Sequence, residues 1–366
     1  MQISIPQIFM IMLSLLLTYL AIVKKYEPLL LLPLAFGMLI ANIPMARLSV
    51  YDEGGLLYYL YKGIDLGIYP PMIFLCIGAM TDFSPLIASP KSWLIGIGGQ
   101  LGIFTAMGLA LLLSNVIPGM DAFTLQEAAS VGIIGSSDGP TSIYTASVLA
   151  PHLLPIITIS AYSYMALVPL IQPPIMRALT THKERVTEMP LPKRITRRHK
   201  ILFAFGVTIA TLVFVPEAGT LIAMLMLGNL IKESGVTERY VRTLTNHLLN
   251  ILTLLIGISI GATATADRIL NFQTLLVISL GLLAFAFGTV GGVLIAKLLY
   301  KITGGKVNPL IGNSGVSAMP MAARVSQKLG QEYNPYNHLL MHAMGPIVSS
   351  TIGSAVVAGI FIKLFG

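Results

Sequence analysis

The sequence predicts an all-α polytopic membrane protein. Of its 366 residues, 55% are hydrophobic and only 10% are charged, and the mean hydropathy is +0.81. Soluble proteins carry about 25% charged residues. A large soluble core would need polar faces on its outer helices, and apolar runs such as 274–296 have none.

Ten apolar segments are the candidate spans, and several reach the roughly 20 residues that a helix needs to cross a bilayer. They cover 8–23, 28–43, 66–80, 92–117, 152–176, 201–215, 218–231, 248–264, 274–296 and 338–362. No basic residue precedes the first segment and no small-residue cleavage site follows it, so we expect no cleaved signal peptide. The lone cysteine, Cys76, excludes an internal disulfide.

Basic residues concentrate in one polar break, residues 177–200, which holds eight of the 23 lysines and arginines. Cytoplasmic loops of membrane proteins are enriched in lysine and arginine, so we place this linker in the cytoplasm. The ten spans then put both termini outside. The net charge of +8 reflects such loops and does not indicate a nucleic-acid partner.

Two stretches, about 121–150 and 308–330, do not fit as spans because small, polar and helix-breaking residues interrupt them. On this topology the first enters from the outer face and returns to it. The second enters from the cytoplasm and returns there. We therefore predict two re-entrant hairpins.

The two halves of the chain resemble each other weakly, which indicates an inverted repeat. Three pairs of fragments match in order at a nearly constant offset: 35–43 with 226–234, 77–83 with 260–266, and 134–142 with 311–320. The predicted units are residues 1–176, the basic linker 177–200, and residues 201–366. Each repeat has about five spans and one hairpin. In many secondary transporters, interrupted helices at matching positions of inverted repeats form the binding site.

The first hairpin carries the motif 134-IGSSDGPTS-142. Gly139 and Pro140 break a helix there, and Asp138 lies among hydroxyl residues that offer oxygen ligands to a cation such as Na⁺. A charged aspartate at membrane depth costs roughly 2.5–3.5 kcal/mol on insertion scales and marks a functional candidate. The alternative is an aspartate that only caps a half-helix.

The second hairpin carries 308-NPLIGNSGVSAMPMAARV-325. Asn308 and Ser317 offer side-chain oxygens, and Gly312 breaks the helix. Arg324 suits an anionic carboxylate, or it reaches the cytoplasmic interface as a snorkelling side chain. The spacing leaves both interpretations open. In the span 152–176, Tyr162 and Tyr164 are likewise candidates to bring a phenol to the first hairpin or to pack in the span.

Three long motifs resemble one known family, the β subunits of sodium-translocating carboxylic-acid decarboxylases. They are 132-GIIGSSDGPTSIYTASVLAP-151, 162-YSYMALVPLIQPP-174 and 308-NPLIGNSGVSAMPMAARVSQ-327. The resemblance covers nearly the whole chain. It implies a fold similar to elevator-type transporters, with two hairpins that meet at a sodium site.

The resemblance also implies roles for individual residues. It implies a catalytic set of Asp138, Tyr164, Ser317 and Arg324, and a Na⁺ set of Asp138, Asn308, Gly312 and Ser317. Arg324 matches the arginine that is associated with carboxybiotin. Residues 136–137, both serine, depart from the smaller residues that are expected there.

The resemblance further implies an activity and partner chains. The β subunit decarboxylates carboxybiotin, consumes a proton from the outer side and exports Na⁺ across the cytoplasmic membrane. A carboxyltransferase α subunit, a biotin carrier chain and a small γ subunit accompany it, and β chains form a homotrimer. This sequence has no lysine in the Met-Lys-Met context that carries biotin, so a partner must bring the cofactor. It has no P-loop motif either.

Two other functions remain open from the residues alone. A stand-alone sodium-coupled carboxylate symporter would use the same two hairpins, with Arg324 binding its substrate. A purely structural membrane subunit would not explain two matched polar tips.

Overall fold

The computed structural model describes residues 4–25, 28–43, 50, 53–116, 122–190, 194–318 and 320–366. The other positions lie outside this description, and they include parts of the predicted first hairpin and of the linker. The described residues form helices and contain no strand. The first-half helices are α1 (Ile5–Ile22), α2 (Pro28–Ala41), α3 (Leu56–Asp65), α4 (Tyr69–Met80), α5 (Ser84–Ala88), α6 (Ser92–Gly99), α7 (Leu101–Val116), α8 (Leu125–Gly132), α9 (Gly139–Leu149) and α10 (Leu154–Leu179). The linker and second-half helices are α11 (His182–Arg185), α12 (Arg197–Phe214), α13 (Gly219–Ser234), α14 (Glu238–Arg242), α15 (Leu249–Thr263), α16 (Ala266–Ile269), α17 (Phe272–Ile302), α18 (Met321–Tyr333) and α19 (Leu340–Phe365).

Several of these helices are long and apolar enough to cross a membrane. Five qualify by length and composition, namely Ile5–Ile22, Ser92–Leu113, Glu238–Thr263, Phe272–Ile302 and Leu340–Phe365. Two pairs of helical segments raise the number to seven if each pair is counted as one bent span. They are α3 with α4, bent by 67°, and Pro151–Tyr162 with Leu167–Leu179, bent by 66°. Each of the ten predicted segments coincides with a helix or helix pair. The prediction of an all-helical polytopic membrane protein is confirmed.

The first hairpin comprises residues 125–149. Thr124 begins it with a capping box, in which its hydroxyl accepts from the Glu127 N–H and the Glu127 carboxylate accepts from the Thr124 N–H. A 3₁₀ turn, Ile133–Ser136, ends the first arm, and Ser137 then adopts a left-handed conformation with φ 55°. The second arm, α9, begins at Gly139–Pro140, where proline suits the first helical turn.

The second hairpin comprises residues 308–333. Asn308 caps a 3₁₀ helix, Pro309–Gly315, by accepting the Leu310 N–H at 2.9 Å. Val316 is extended, and α18 forms the returning arm. Both hairpins therefore change direction through non-helical backbone, which membranes tolerate only where protein or water surrounds it.

Glycines allow α2 to pack on α15 and α4 to pack on α13. A Cβ on Gly37 would collide with the Ile258 carbonyl, and one on Gly261 with the Leu34 carbonyl. In the other pair, a Cβ on Gly78 would collide with Leu225, and one on Gly228 with Leu75. Small residues permit this close approach between membrane helices, where van der Waals packing drives association. In the predicted repeats α2 corresponds to α13 and α4 corresponds to α15. Each packed pair therefore joins one helix of the first half to the counterpart of its neighbour in the second half.

Helix α17 contacts both hairpin tips, again through glycines. A Cβ on Gly288 would lie 3.1 Å from the Gly135 carbonyl oxygen of the first hairpin. A Cβ on Gly292 would collide with the Gly312 carbonyl of the second hairpin. Because α17 has no side chains at these positions, both tips sit directly against its backbone.

The linker helix α11 is attached to the base of the second hairpin. Asn308 donates to the carbonyls of Arg185 at 3.0 Å and Thr187 at 2.7 Å, and the Arg185 guanidinium stacks 4.8 Å from the Tyr333 ring centroid. Lys297 of α17 lies 3.6 Å from Glu184. Burial alone would raise the pKa of Glu184, but hydrogen bonds from Thr181 and the Lys297 charge outweigh it and lower that pKa.

Candidate functional site

Asp138 lies at the tip of the first hairpin and is only 5% exposed. Its Oδ2 accepts hydrogen bonds from the Thr141 hydroxyl at 2.8 Å and the Ser354 hydroxyl at 2.9 Å. Thr141 lies in the first turn of α9, whereas Ser354 projects from α19 at the far end of the chain. The carboxylate is thus held between the hairpin and a helix of the second half.

The two hairpin tips touch each other. The Ser317 N–H donates to the Ser136 carbonyl at 2.8 Å, which joins the second tip to the first. The Ser317 hydroxyl also lies 3.1 Å from the Ser350 hydroxyl, one turn before Ser354 on α19. The amide Nε2 of Gln100, between α6 and α7, is 3.1 Å from the same Ser350 hydroxyl.

These side chains form one buried group, which we call the tip cluster. It consists of Gln100, Asp138, Thr141, Ser317, Ser350 and Ser354, all buried. Four separate parts of the chain contribute to it: the break after α6, the two hairpins, and α19.

The chemistry of the tip cluster fits Na⁺. All of its side-chain acceptors are oxygens, and the carboxylate supplies one negative charge to balance a monovalent cation. Two nearby atoms, Gln100 Oε1 and Ser137 Oγ, are buried without a hydrogen-bond partner among the described residues. Oxygen ligands beside unwound backbone hold coupling ions in secondary transporters. No group of three or more His, Cys, Asp or Glu residues that suits a transition metal occurs in the described part of the chain.

Gly312 and Asn308, both predicted for the sodium site, lie within the 3₁₀ helix of the second hairpin and at its N-cap, respectively. Gly312 packs against α17, where a Cβ would lie 2.5 Å from Val293 Cα. Asn308 uses its amide on the backbone of the linker and of its own hairpin. Of the predicted sodium ligands, Asp138 and Ser317 each bond a serine of α19, namely Ser354 and Ser350. The Ser317 N–H also joins the second tip to the first.

The two tyrosines of α10 have different surroundings. The Tyr164 hydroxyl donates to the Ile278 carbonyl of α17, and its ring packs on Gly281. The Tyr162 ring lies directly over Gly139, next to Asp138, so closely that a Cβ there would collide with it. Tyr162 therefore borders the first tip, while Tyr164 joins α10 to α17.

Arg324 is exposed on the returning arm of the second hairpin. It lines an open cavity of about 450 Å³ with Gln327, Lys328, Gln331, Glu332 and Leu340. Among these described lining residues the carboxylate is that of Glu332, which is already paired with Arg177 at 2.7 Å. The guanidinium and the Lys328 ammonium therefore give the cavity a net positive wall.

Sequence reasoning missed four polar residues that organise the hairpins. Gln100, Ser350 and Ser354 belong to the tip cluster, and Gln172 of α10 exchanges hydrogen bonds with Asn313, at 2.7 Å to its side chain and 3.0 Å to its carbonyl. The only local signal was the hydroxyl-rich run 349-SSTIGS-354 inside an apolar span.

A substitution at Asn308 tests what this residue does. We expect Asn308→Ala to lower the free energy of unfolding by about 2 kcal/mol, because it removes three hydrogen bonds worth roughly 0.5–1.5 kcal/mol each. Thermal unfolding in detergent measures this loss. The Na⁺ concentration that gives half of the maximal protection against thermal unfolding should not change. Backbone groups already bond both the nitrogen and the oxygen of the Asn308 amide. Asn334→Ala is the matched control, because this more exposed asparagine donates to Val186 and Glu188 of the linker. A raised Na⁺ requirement in Asn308→Ala would instead place Asn308 on the ion's path.

Comparison with known proteins then assigns the family. The sequence profile of the Na⁺-transporting oxaloacetate decarboxylase beta subunit matches residues 6–365. The chain belongs to this family. It is 49% identical to the methylmalonyl-CoA decarboxylase subunit beta of Propionigenium modestum, with 99% of this chain and 96% of that protein aligned. It is 49% identical to the glutaconyl-CoA decarboxylase subunit beta of Acidaminococcus fermentans (98% and 92%) and 45% identical to the oxaloacetate decarboxylase beta chain 2 of Salmonella typhi (99% and 96%).

Membership confirms the resemblance that the hairpin motifs indicated. The chain is a membrane-embedded subunit of a sodium-transporting decarboxylase, and hence part of a multi-subunit enzyme. The three relatives are named for different acids or acyl-CoA esters, yet they are 45–49% identical to this chain over nearly its full length. Similarity in this subunit therefore does not identify the acid.

Proposed function

We propose that this chain decarboxylates carboxybiotin held on a partner chain, takes up one proton, and exports Na⁺ across the cytoplasmic membrane. The observation that carries the proposal is Asp138, a carboxylate buried among oxygen ligands where two interrupted hairpins meet. One carboxylate that binds either H⁺ or Na⁺ couples a proton-consuming reaction to sodium movement.

The overall reaction consumes one proton. When the C–N bond of carboxybiotin breaks, CO₂ leaves and the electron pair remains on the biotin nitrogen, which then takes a proton. In our proposal Asp138 releases that proton when Na⁺ arrives, and later regains one from the outer side as Na⁺ departs. Ser354, which bonds the carboxylate, and Ser317, which bonds Ser350 on the same helix, would present oxygens to the ion. Tyr164 anchors α10 to α17 next to the first hairpin. We propose that it contributes to catalysis by keeping the first hairpin in position.

Arg324 is proposed to bind the carboxylate of carboxybiotin. Its guanidinium is exposed in an open cavity, and a planar guanidinium pairs with a carboxylate through two parallel hydrogen bonds. The Arg177–Glu332 ion pair supports this role, because it occupies the acidic group among the described residues of the lining.

We also propose that the chain is an inverted repeat that moves as an elevator-type carrier. The reciprocal packing of α2 on α15 and of α4 on α13 supports this proposal, because a two-fold relation between halves produces paired contacts of this kind. The residues 1–176 and 201–366 would form the repeats. The linker, 177–200, would face the cytoplasm because of its basic residues.

The proposed assembly contains a carboxyltransferase α subunit, a biotin carrier and a small γ subunit around a β homotrimer. The named relatives are beta subunits, which supports an assembly of several chains. Apolar residues cover the outer faces of α1 and α12, and such surfaces suit lipid or neighbouring β chains.

The test uses inside-out membrane vesicles that contain the whole complex. We expect added carboxybiotin to release CO₂ in a Na⁺-stimulated reaction, and ²²Na⁺ to accumulate inside the vesicles. A sodium ionophore should abolish accumulation while CO₂ release continues. Carboxylate uptake coupled to Na⁺, without CO₂ release, would contradict the proposal and favour a symporter.

A further inference from the structure

Gln100 lies at the level of both hairpin tips. It occupies the break between α6 and α7, and its neighbours contact one tip each. A Cβ on Gly99 would collide with the Gly315 carbonyl of the second hairpin, and a Cβ on Gly135 of the first hairpin would lie 2.7 Å from the Gly102 carbonyl carbon. The side chain between these two contacts is only 6% exposed.

Hydrogen bonds fix the orientation of the Gln100 amide. Its Nε2 lies 3.2 Å from the Gly96 carbonyl oxygen, 3.1 Å from the Ser350 hydroxyl and 3.4 Å from the Ser350 carbonyl oxygen. Carbonyl oxygens accept and do not donate, so reversing the amide would set its oxygen against two other acceptors. The oxygen, Oε1, therefore points away from them.

This oxygen has no protein partner in the part of the chain that the structure describes. Leaving a buried acceptor unsatisfied costs about 1–3 kcal/mol. Asp138, the charged residue of the tip cluster, is bonded to Ser354, and Ser354 is one helical turn from the Ser350 that holds Gln100. Side chains one turn apart on a helix have Cβ atoms about 5–6 Å apart. A cation placed between Ser350 and Ser354 would therefore have the Gln100 side on one flank and the Asp138 side on the other.

We infer that the Gln100 carbonyl oxygen is a ligand of the transported Na⁺, opposite Asp138 in the tip cluster. The inference rests on the proposed function. It adds a ligand outside the two hairpin motifs, from the helix break that faces both tips. It also explains why a glutamine is anchored by its nitrogen while its oxygen stays unpaired.

The test measures sodium binding without turnover. In the purified complex, the Na⁺ concentration that half-protects against thermal unfolding is compared between the unaltered chain and Gln100→Met, which keeps the length but removes the oxygen. We expect this concentration to rise about tenfold, the equivalent of about 1.4 kcal/mol. Asn229→Leu is the matched control, because Asn229 is another buried amide without a partner among the described residues, on α13. It should leave the sodium midpoint unchanged.

A second variant separates a ligand from a positioning residue. Gln100→Glu keeps an oxygen at the same place but loses the N–H groups that hold Ser350. We expect it to bind Na⁺ at least as tightly as the unaltered chain. An unchanged midpoint in Gln100→Met, or a raised midpoint in Gln100→Glu, would overturn the inference. If Gln100→Met does not fold, Gln100→Glu decides alone. Absence of sodium protection in the unaltered complex, together with absence of Na⁺-stimulated CO₂ release, would instead refute the proposed function.

Discussion

Replacing Asp138 with asparagine is expected to abolish sodium-stimulated decarboxylation, with a rate loss of about 100-fold or more, equal to about 2.8 kcal/mol. Asparagine carries no charge and exchanges no proton, so it neither balances a sodium ion nor passes a proton on. Its side-chain oxygen still accepts from Thr141 and Ser354, and the fold should survive. CO₂ release from carboxybiotin with and without Na⁺ measures the effect.

The same substitution at Asp82 is the control. Asp82 lies outside the tip cluster and pairs with Lys200 at 3.1 Å. Because this pair is partly solvated, its loss should cost no more than about 1 kcal/mol of stability and leave sodium stimulation intact. Sodium stimulation that persists in Asp138→Asn would remove the central element of the mechanism. Asp138→Glu keeps the charge on a longer side chain and should retain part of the activity.

A single methyl group on Gly102 is expected to destabilise the protein by about 2–3 kcal/mol, because overpacking typically costs 1–3 kcal/mol. A Cβ there would collide with the Ala284 carbonyl and lie 2.8 Å from the Gly288 nitrogen, both in α17. Gly135 of the first hairpin packs on the same glycine. In Gly102→Ala, the strain should therefore also displace Asp138 and reduce sodium-stimulated activity.

Gly108→Ala gives a matched comparison on the same helix, α7. A Cβ at Gly108 meets no atom within 4 Å. Alanine in a helix is favoured over glycine by roughly 0.5–1 kcal/mol, so this variant should be slightly more stable. The two variants are thus predicted to shift the unfolding temperature in opposite directions. Equal shifts would contradict the close packing of α7 on α17 at Gly102.

The spans and the hairpin tips were predictable because their signals are local. Apolar length marks a span, and Gly139–Pro140 or Gly312 marks a break in the α-helix wherever the rest of the chain lies. These features depend on a few consecutive residues, and the structure has helix breaks at all of these sites.

The partners of Asp138 were not predictable in the same way. Ser354 is one hydroxyl within an apolar span, and its contact with Asp138 depends on how α19 is rotated against the first hairpin. Gln100 lies beside both tips because Gly99 contacts the second hairpin and Gly102 contacts the first, and both contacts are between residues far apart in the sequence. The tyrosines show the same limit, because spacing did not distinguish Tyr162 beside Gly139 from Tyr164 bonded to α17. Rotation of a helix about its axis is set by packing from distant parts of the chain.

The bond between Asp138 and Ser354 joins residues 216 positions apart, and this distance has a consequence for biosynthesis. At a translation rate of 5–20 residues per second, the ribosome adds Ser354 roughly 10–40 s after Asp138. During that interval the first half resides in the membrane with its acid lacking a hydroxyl partner from α19. A nascent chain that stalls in this window would hold Asp138 with its Thr141 bond but without the hydroxyl partner from α19.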